Sequence, residues 1–216
     1  VYRKIRDDEV LKQQVIDKVR EIKQSFRLIM DGQTAQSMRD KGSDYKLNWG
    51  ASILMLKEKA AEIGQDYDLA IELWKADVRE CKILATMLMP PDEICAEVVD
   101  IWMEQTHTQE IAEQATFNLY QHLPFAAQKA YQWIASPQPL YQLCGFHVLT
   151  RLFMKGQEPN ERGINEFIDQ ALVALQGDNL AVKKAALQTM TRFADLGLVY
   201  ERLAKSALKQ IEIDIF

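Results

Sequence analysis

Cys144-Gly145-Phe146-His147-Val148-Leu149-Thr150-Arg151 returns 41 residues later as Ala185-Ala186-Leu187-Gln188-Thr189-Met190-Thr191-Arg192. Small residues open each copy, a large apolar residue sits mid-helix, and Thr-Arg closes the match. Small side chains let neighbouring helices approach closely. Apolar residues at three- and four-residue spacing give each helix one buried stripe. Two such segments at a fixed offset are stacked neighbours in a repeating array.

The larger breaks keep a similar beat. Gly50, Pro90, Pro137 and Gly177 are spaced by 40, 47 and 40 residues, the period of a HEAT or armadillo helix pair. Between the breaks the pattern predicts helices near 8–29, 52–63, 66–75, 77–89, 92–105, 108–122, 125–135, 139–154, 161–176, 179–196 and 198–210. Ser52, Asp66, Asp77, Asp92 and Asn179 are the expected N-caps, because their side-chain oxygens can accept orphan backbone N–H groups. The expected fold class is all-α, an α-α superhelix of HEAT/ARM-like repeats. One domain spans 1–216, with a capping helix and loop over 1–44, repeats over 45–196 and a C-terminal capping helix over 197–216.

Composition sets the bounds. Leu, Ala, Glu, Lys, Gln, Met and Ile are abundant, and most of them favour helix. With only 9 Gly and 6 Pro, long disordered segments are not expected. The net charge of -5 disfavours a uniformly basic nucleic-acid binder, although a local basic surface can sit on an acidic body. Cys81, Cys95 and Cys144 are isolated, so a reduced, cytoplasmic compartment is expected. No apolar run reaches membrane-spanning length, and the first residues show no signal-peptide pattern.

The front of the array is the most distinctive stretch. It reads Tyr45-Lys46-Leu47-Asn48-Trp49-Gly50-Ala51, then a helix with Leu54, Leu56, Lys57 and Ala60. Leu69-Ala70-Ile71-Glu72-Leu73-Trp74 follows, and then Arg79-Glu80 and Leu84-Ala85. This pattern resembles the DNA alkylation repair family, the AlkD-like alkylpurine DNA glycosylases built from HEAT-like helix pairs. The resemblance covers roughly residues 40 to 195. Gly50 suits the turn into a helix, and Leu73 and Trp74 suit packing between repeats.

The resemblance implies a chemistry and a set of positions. Family members release cationic N-alkylpurines through an oxocarbenium-like sugar, which a carboxylate stabilises. Aromatic faces favour the cationic base, and an arginine holds the backbone. The family's Ser-Trp-Asp-x-x-Asp motif falls on Thr108-Gln109-Glu110-Ile111-Ala112-Glu113. Glu113 then takes the place of the catalytic Asp and Glu110 that of the earlier acid, while Gln109 replaces the aromatic. Glu is one methylene longer than Asp, and placement matters at such a site. After the turn Ser136-Pro137-Gln138-Pro139, Leu143 takes the arginine's place. Gln188 stands at a further aromatic position. A shift of one helical turn would instead bring Tyr141 or His147 to the pocket. Only the carboxylate role survives, so the chain reads as a divergent member with a substituted pocket. Glu110 and Glu113 also suit a helix N-terminus without any catalytic role.

Other constellations carry less. His107, His122 and His147 have no partner at metal-ligand spacing, so neither a metal nor a cofactor is expected. Lys183-Lys184, Arg151, Lys155 and Arg192 cluster late in the chain. The 41-residue offset puts Arg151 and Arg192 on equivalent faces and Lys184 on the face of Leu143, which makes Lys184, Arg151 and Arg192 the DNA-binding candidates. An ordinary solvated helix face would look the same.

Two functions stay open. One is a DNA-binding HEAT-repeat protein related to the N-alkylpurine glycosylases, with weak excision or none, whose partner is duplex DNA with alkylated bases. The other is a non-catalytic scaffold holding a protein partner on a concave face.

Overall fold

The computed structural model describes residues 2–43 and 45–213. Among them the chain forms α1 (Tyr2–Ser25), α2 (Gly32–Asp40), α3 (Ile53–Ile63), α4 (Tyr67–Trp74), α5 (Arg79–Leu88) and α6 (Ala96–Glu104). These are followed by α7 (Gln109–Asn118), α8 (Ala126–Ile134), α9 (Pro139–Met154), α10 (Glu161–Gln176), α11 (Leu180–Ala194) and α12 (Leu198–Lys209). The all-α class holds, and the only bridge among the described residues is an isolated parallel one between Leu47 and Val78. Among the described residues no helix is long and apolar enough to cross a membrane.

Helix ends follow side-chain chemistry. Ser52, Asp66 and Asn179 cap α3, α4 and α11 by accepting the amides of Met55, Leu69 and Val182. Asp77 and Asp92 do not cap. The Asp77 carbonyl accepts the Leu47 amide in the parallel bridge, and α5 starts after Val78. Pro90–Pro91 forces a turn closed by the amides of Glu93 and Ile94 on the Pro90 carbonyl, so α6 waits until Ala96. Pro139 opens α9 at a position where its missing N–H costs nothing. Gly156, at φ 74, closes it with Gly156 N to Phe153 O at 2.8 Å and Gln157 N to Leu152 O at 3.0 Å, a Schellman end.

α2 is an addition that the apolar pattern does not announce, since only Ala35 of its nine residues is buried. The Asp31 carboxylate nucleates it, accepting the amides of Gln33 and Thr34 and the Thr34 hydroxyl. Toward the front, α1 ends at Ser25 and a 3-10 turn covers Phe26–Leu28.

The helices gather into two compact units, Val1–Ala115 and Thr116–Phe216, with α7 crossing the division. In the first unit α4 packs on α1 and α5, and α3 on α5. Trp74 stacks on Trp102 at 4.2 Å and 4° between planes, and its indole N–H donates to Gln105. Such a pair contributes about 0.5–1.5 kcal/mol beyond its area.

In the second unit α9 packs between α8 and α11, and α10 and α12 lie against α11. Phe153, Phe167 and Phe193 form its aromatic centre. The repeated segment lies on α9 and α11. Gly145 sits so close to α8 that an added Cβ would be 2.8 Å from the Ala130 carbonyl oxygen. The Thr150 and Thr189 hydroxyls meet at 2.9 Å, and Thr189 also reaches the carbonyls of Phe146 and Ala185.

Candidate nucleic-acid interface and substituted pocket

The front stretch is held by buried charge. Glu80 is fully buried, and its carboxylate accepts the amides of Trp49 and Ala51. Arg79, at 1% exposure, donates to the Ala51 carbonyl, to Glu80 at 3.0 Å and to both oxygens of Glu110. Burial pulls the guanidinium pKa down, but the Glu110 hydrogen bonds and charge, with Glu80 behind them, hold it above the ordinary value. The Tyr45 hydroxyl bridges Thr108 and Glu110. Burial pushes that phenol's pKa well above its ordinary value, with the Glu110 charge adding to the rise and the Thr108 hydrogen bond opposing it.

Gly50, at φ 71, passes beneath the start of α2, where a Cβ would be 2.2 Å from the Asp31 carbonyl oxygen. Its amide donates to Asn48 Oδ1 at 2.8 Å. The residues that carry the family pattern are therefore a structural clasp. Arg79 and Glu80 belong to that pattern, yet the bond from Arg79 to Glu110 joins residues 31 apart and leaves no trace in local spacing. The readable signal was a charged pair set among the apolar residues Val78, Cys81, Ile83 and Leu84.

Glu110, a pocket candidate, is thus taken up by Arg79 and Tyr45. Gln109 is exposed and donates to Glu113 Oε1 at 2.8 Å, while Glu113 is partly buried and has further interactions. These three positions lie in the first unit. The other two candidates lie in the second, where Leu143 is buried at 2% exposure and Gln188 is exposed. Leu143, His147 and Arg151 follow one another at four-residue steps on α9, and Lys184, Gln188 and Arg192 do so on α11.

The cations differ among themselves. Lys184 is exposed. The Arg192 Nη1 donates to Asp195 Oδ2 at 2.8 Å. Among the described residues Arg151 has no carboxylate partner, and its guanidinium lies over the Phe117 ring, 4.9 Å from the centroid, an interaction of about 0.5–1 kcal/mol near a surface. Phe117 is a neighbour of Arg151 that the sequence reading passed over. A second missed signal is electrostatic: no Asp or Glu occurs between Glu113 and Glu158, although Lys129, Arg151 and Lys155 do.

No group of His, Cys, Asp or Glu able to hold a metal is present among the described residues. Cys81, Cys95 and Cys144 form no disulfide.

Comparison with known proteins bears on the fold and the family. No curated protein matches the chain. A solved structure described as "a new family of proteins related to the HEAT-like repeat DNA glycosylases with affinity for branched DNA structures" aligns at TM-score 0.72 and 16% identity. The alignment covers 88% of this chain and 80% of that one. It establishes the HEAT-like repeat fold. The family model described as "DNA alkylation repair enzyme" matches residues 22–171, which take in the Asn48–Ala51 clasp, Arg79-Glu80 and the Gln109–Glu113 turn. The chain belongs to the DNA alkylation repair enzyme family.

Proposed function

We propose that this protein binds DNA through the sugar–phosphate backbone and does not excise alkylated bases. The observation that carries the binding half is the acid-free stretch from 114 to 157, together with Arg151, whose guanidinium has no carboxylate partner. Backbone binding depends on cations that are not already neutralised. The relative with affinity for branched DNA makes branched duplexes the first substrates to try.

The second half rests on the substituted pocket. Base release needs a carboxylate at the sugar with its charge preorganised for the developing cation. Glu110 is committed to Arg79. Glu113 already accepts from Gln109, where the family has an aromatic ring. Leu143 brings no donor to a phosphate.

The test is incubation of excess protein with duplex DNA carrying 7-methylguanine or 3-methyladenine, reading free base, with Glu113→Gln beside the wild type. The expected result is background release from both proteins. Release by the wild type that Glu113→Gln abolishes would make Glu113 catalytic and overturn the non-excising reading.

The scaffold alternative has one observation of its own. Leu11 and Ile16 of α1 are exposed beside a groove of about 560 Å³ against α4. Nothing in that groove indicates a partner, whereas the charge distribution indicates one for the second unit.

A further inference from the structure

We propose that Arg151 is a fixed contact for one backbone phosphate of bound DNA, braced by Phe117, and that Arg192, its counterpart one repeat later, is held out of that role by Asp195. This rests on the DNA-binding reading above and assigns the contact within it.

Two residues on one face of α9 meet the Phe117 ring. The Arg151 guanidinium lies over it at 4.9 Å, and His147, one turn earlier on α9, meets it edge-on at 5.3 Å. The ring therefore restricts where the guanidinium can go. Less freedom is lost when a ligand arrives.

The donors of Arg151 are poorly used. Among the described residues its one hydrogen bond runs from Nη1 to the Met154 sulfur at 4.0 Å, while its Nε is buried and faces away from any ligand. Thioether sulfur is a weak acceptor. The Nη1–Nη2 edge, which has no oxygen acceptor among the described residues, matches the paired oxygens of a phosphodiester.

Arg192 occupies the equivalent position 41 residues on, and its Nε too is buried without an acceptor. The difference is Asp195, which takes Nη1 at 2.8 Å. An approaching phosphate would have to displace that carboxylate and would be repelled by it. The repeat thus presents two arginines of the same register, one open and one self-neutralised.

The experiment measures anisotropy of the full chain with a labelled undamaged duplex from about 50 to 200 mM salt, taking the slope of log K against log salt. One lost phosphate contact reduces that slope by about 0.9. Arg151→Ala is expected to show that reduction, with affinity down about ten-fold at the lowest salt. Arg151→Gln keeps the stem of the side chain and is expected to lose the same slope, so it decides the matter if the alanine variant fails to fold. Phe117→Leu should keep the slope and weaken affinity several-fold, the signature of a positioning residue. Arg192→Ala should leave the slope unchanged, and Asp195→Asn should steepen it. Inorganic phosphate at matched ionic strength should not displace the DNA, and displacement would mark a free-anion site instead. Wild-type slope and affinity in both Arg151 variants would overturn this assignment while leaving DNA binding intact. No binding by the wild type at the lowest salt would remove both readings.

Discussion

The guanidinium of Arg79 grips both carboxylate oxygens of Glu110, Nη2 to Oε1 at 2.6 Å and Nε to Oε2 at 2.8 Å. The pair fastens the start of α5 to the start of α7. Glu80 completes the cluster from the buried side, where it also holds the amides of Trp49 and Ala51. A carboxylate that resemblance places in a pocket is thus part of the frame.

Removing Arg79 would strand the fully buried Glu80. Breaking such a pair from one side costs about 3–5 kcal/mol. Arg79→Met is expected to destabilise by that amount and to lower Tm on the order of 10 °C. Glu110→Gln should cost less, about 1–2 kcal/mol, because Glu110 is 30% exposed and Glu80 still faces Arg79. Chemical denaturation measures both. An Arg79→Met variant within 1 kcal/mol of wild type, on the order of a surface substitution, would contradict the clasp.

Two glycines test close approach. At Gly50 the backbone is left-handed and a Cβ would strike the Asp31 carbonyl oxygen at 2.2 Å. Gly50→Ala should therefore exceed the roughly 1–2 kcal/mol of the left-handed conformation alone. Gly145 has ordinary helical backbone, so Gly145→Ala should show only overpacking against Ala130 and Ile134, about 1–3 kcal/mol. Equal stability of Gly50→Ala and wild type would mean that α2 does not sit over the turn.

Acid should loosen α2 first. The Thr34 hydroxyl and amide, with a lesser contribution from the Gln33 amide, hold the Asp31 pKa below 3.8 against the opposing effect of burial. A depressed carboxylate contributes stability in full above its unfolded value and loses it as pH falls through its folded value. Protection of the Gln33 and Thr34 amides, relative to their intrinsic exchange at each pH, is therefore expected to fall only as pH drops below about 3.8. Asp31→Asn keeps the capping oxygen and should abolish that dependence. The same acid response in Asp31→Asn would assign the effect to another group.

The helices were legible because their signals are local. Ser52, Asp66 and Asn179 cap where expected, and 139–154 and 161–176 match the structure residue for residue. Asp77 and Asp92 misled because a bridge to Leu47 and the Pro90–Pro91 turn claim the backbone there. α2 was invisible to apolar periodicity because Asp31 and the Gly50 turn, rather than a buried stripe, hold it in place. Sequence placed Glu110, Leu143 and Arg151 by position along helices. It could not show that Glu110 is paired, that Leu143 is core, or that Phe117 lies under Arg151, because each depends on a partner from a different helix.

The central claim is that this chain holds DNA by its phosphates. Its most direct test is wild-type affinity for an undamaged four-way junction and for a plain duplex across a salt series. The expected result is measurable binding at low salt that weakens linearly in log K against log salt, with the junction bound at least as tightly as the duplex. Absence of binding at low salt, or affinity that does not change with salt, would contradict it.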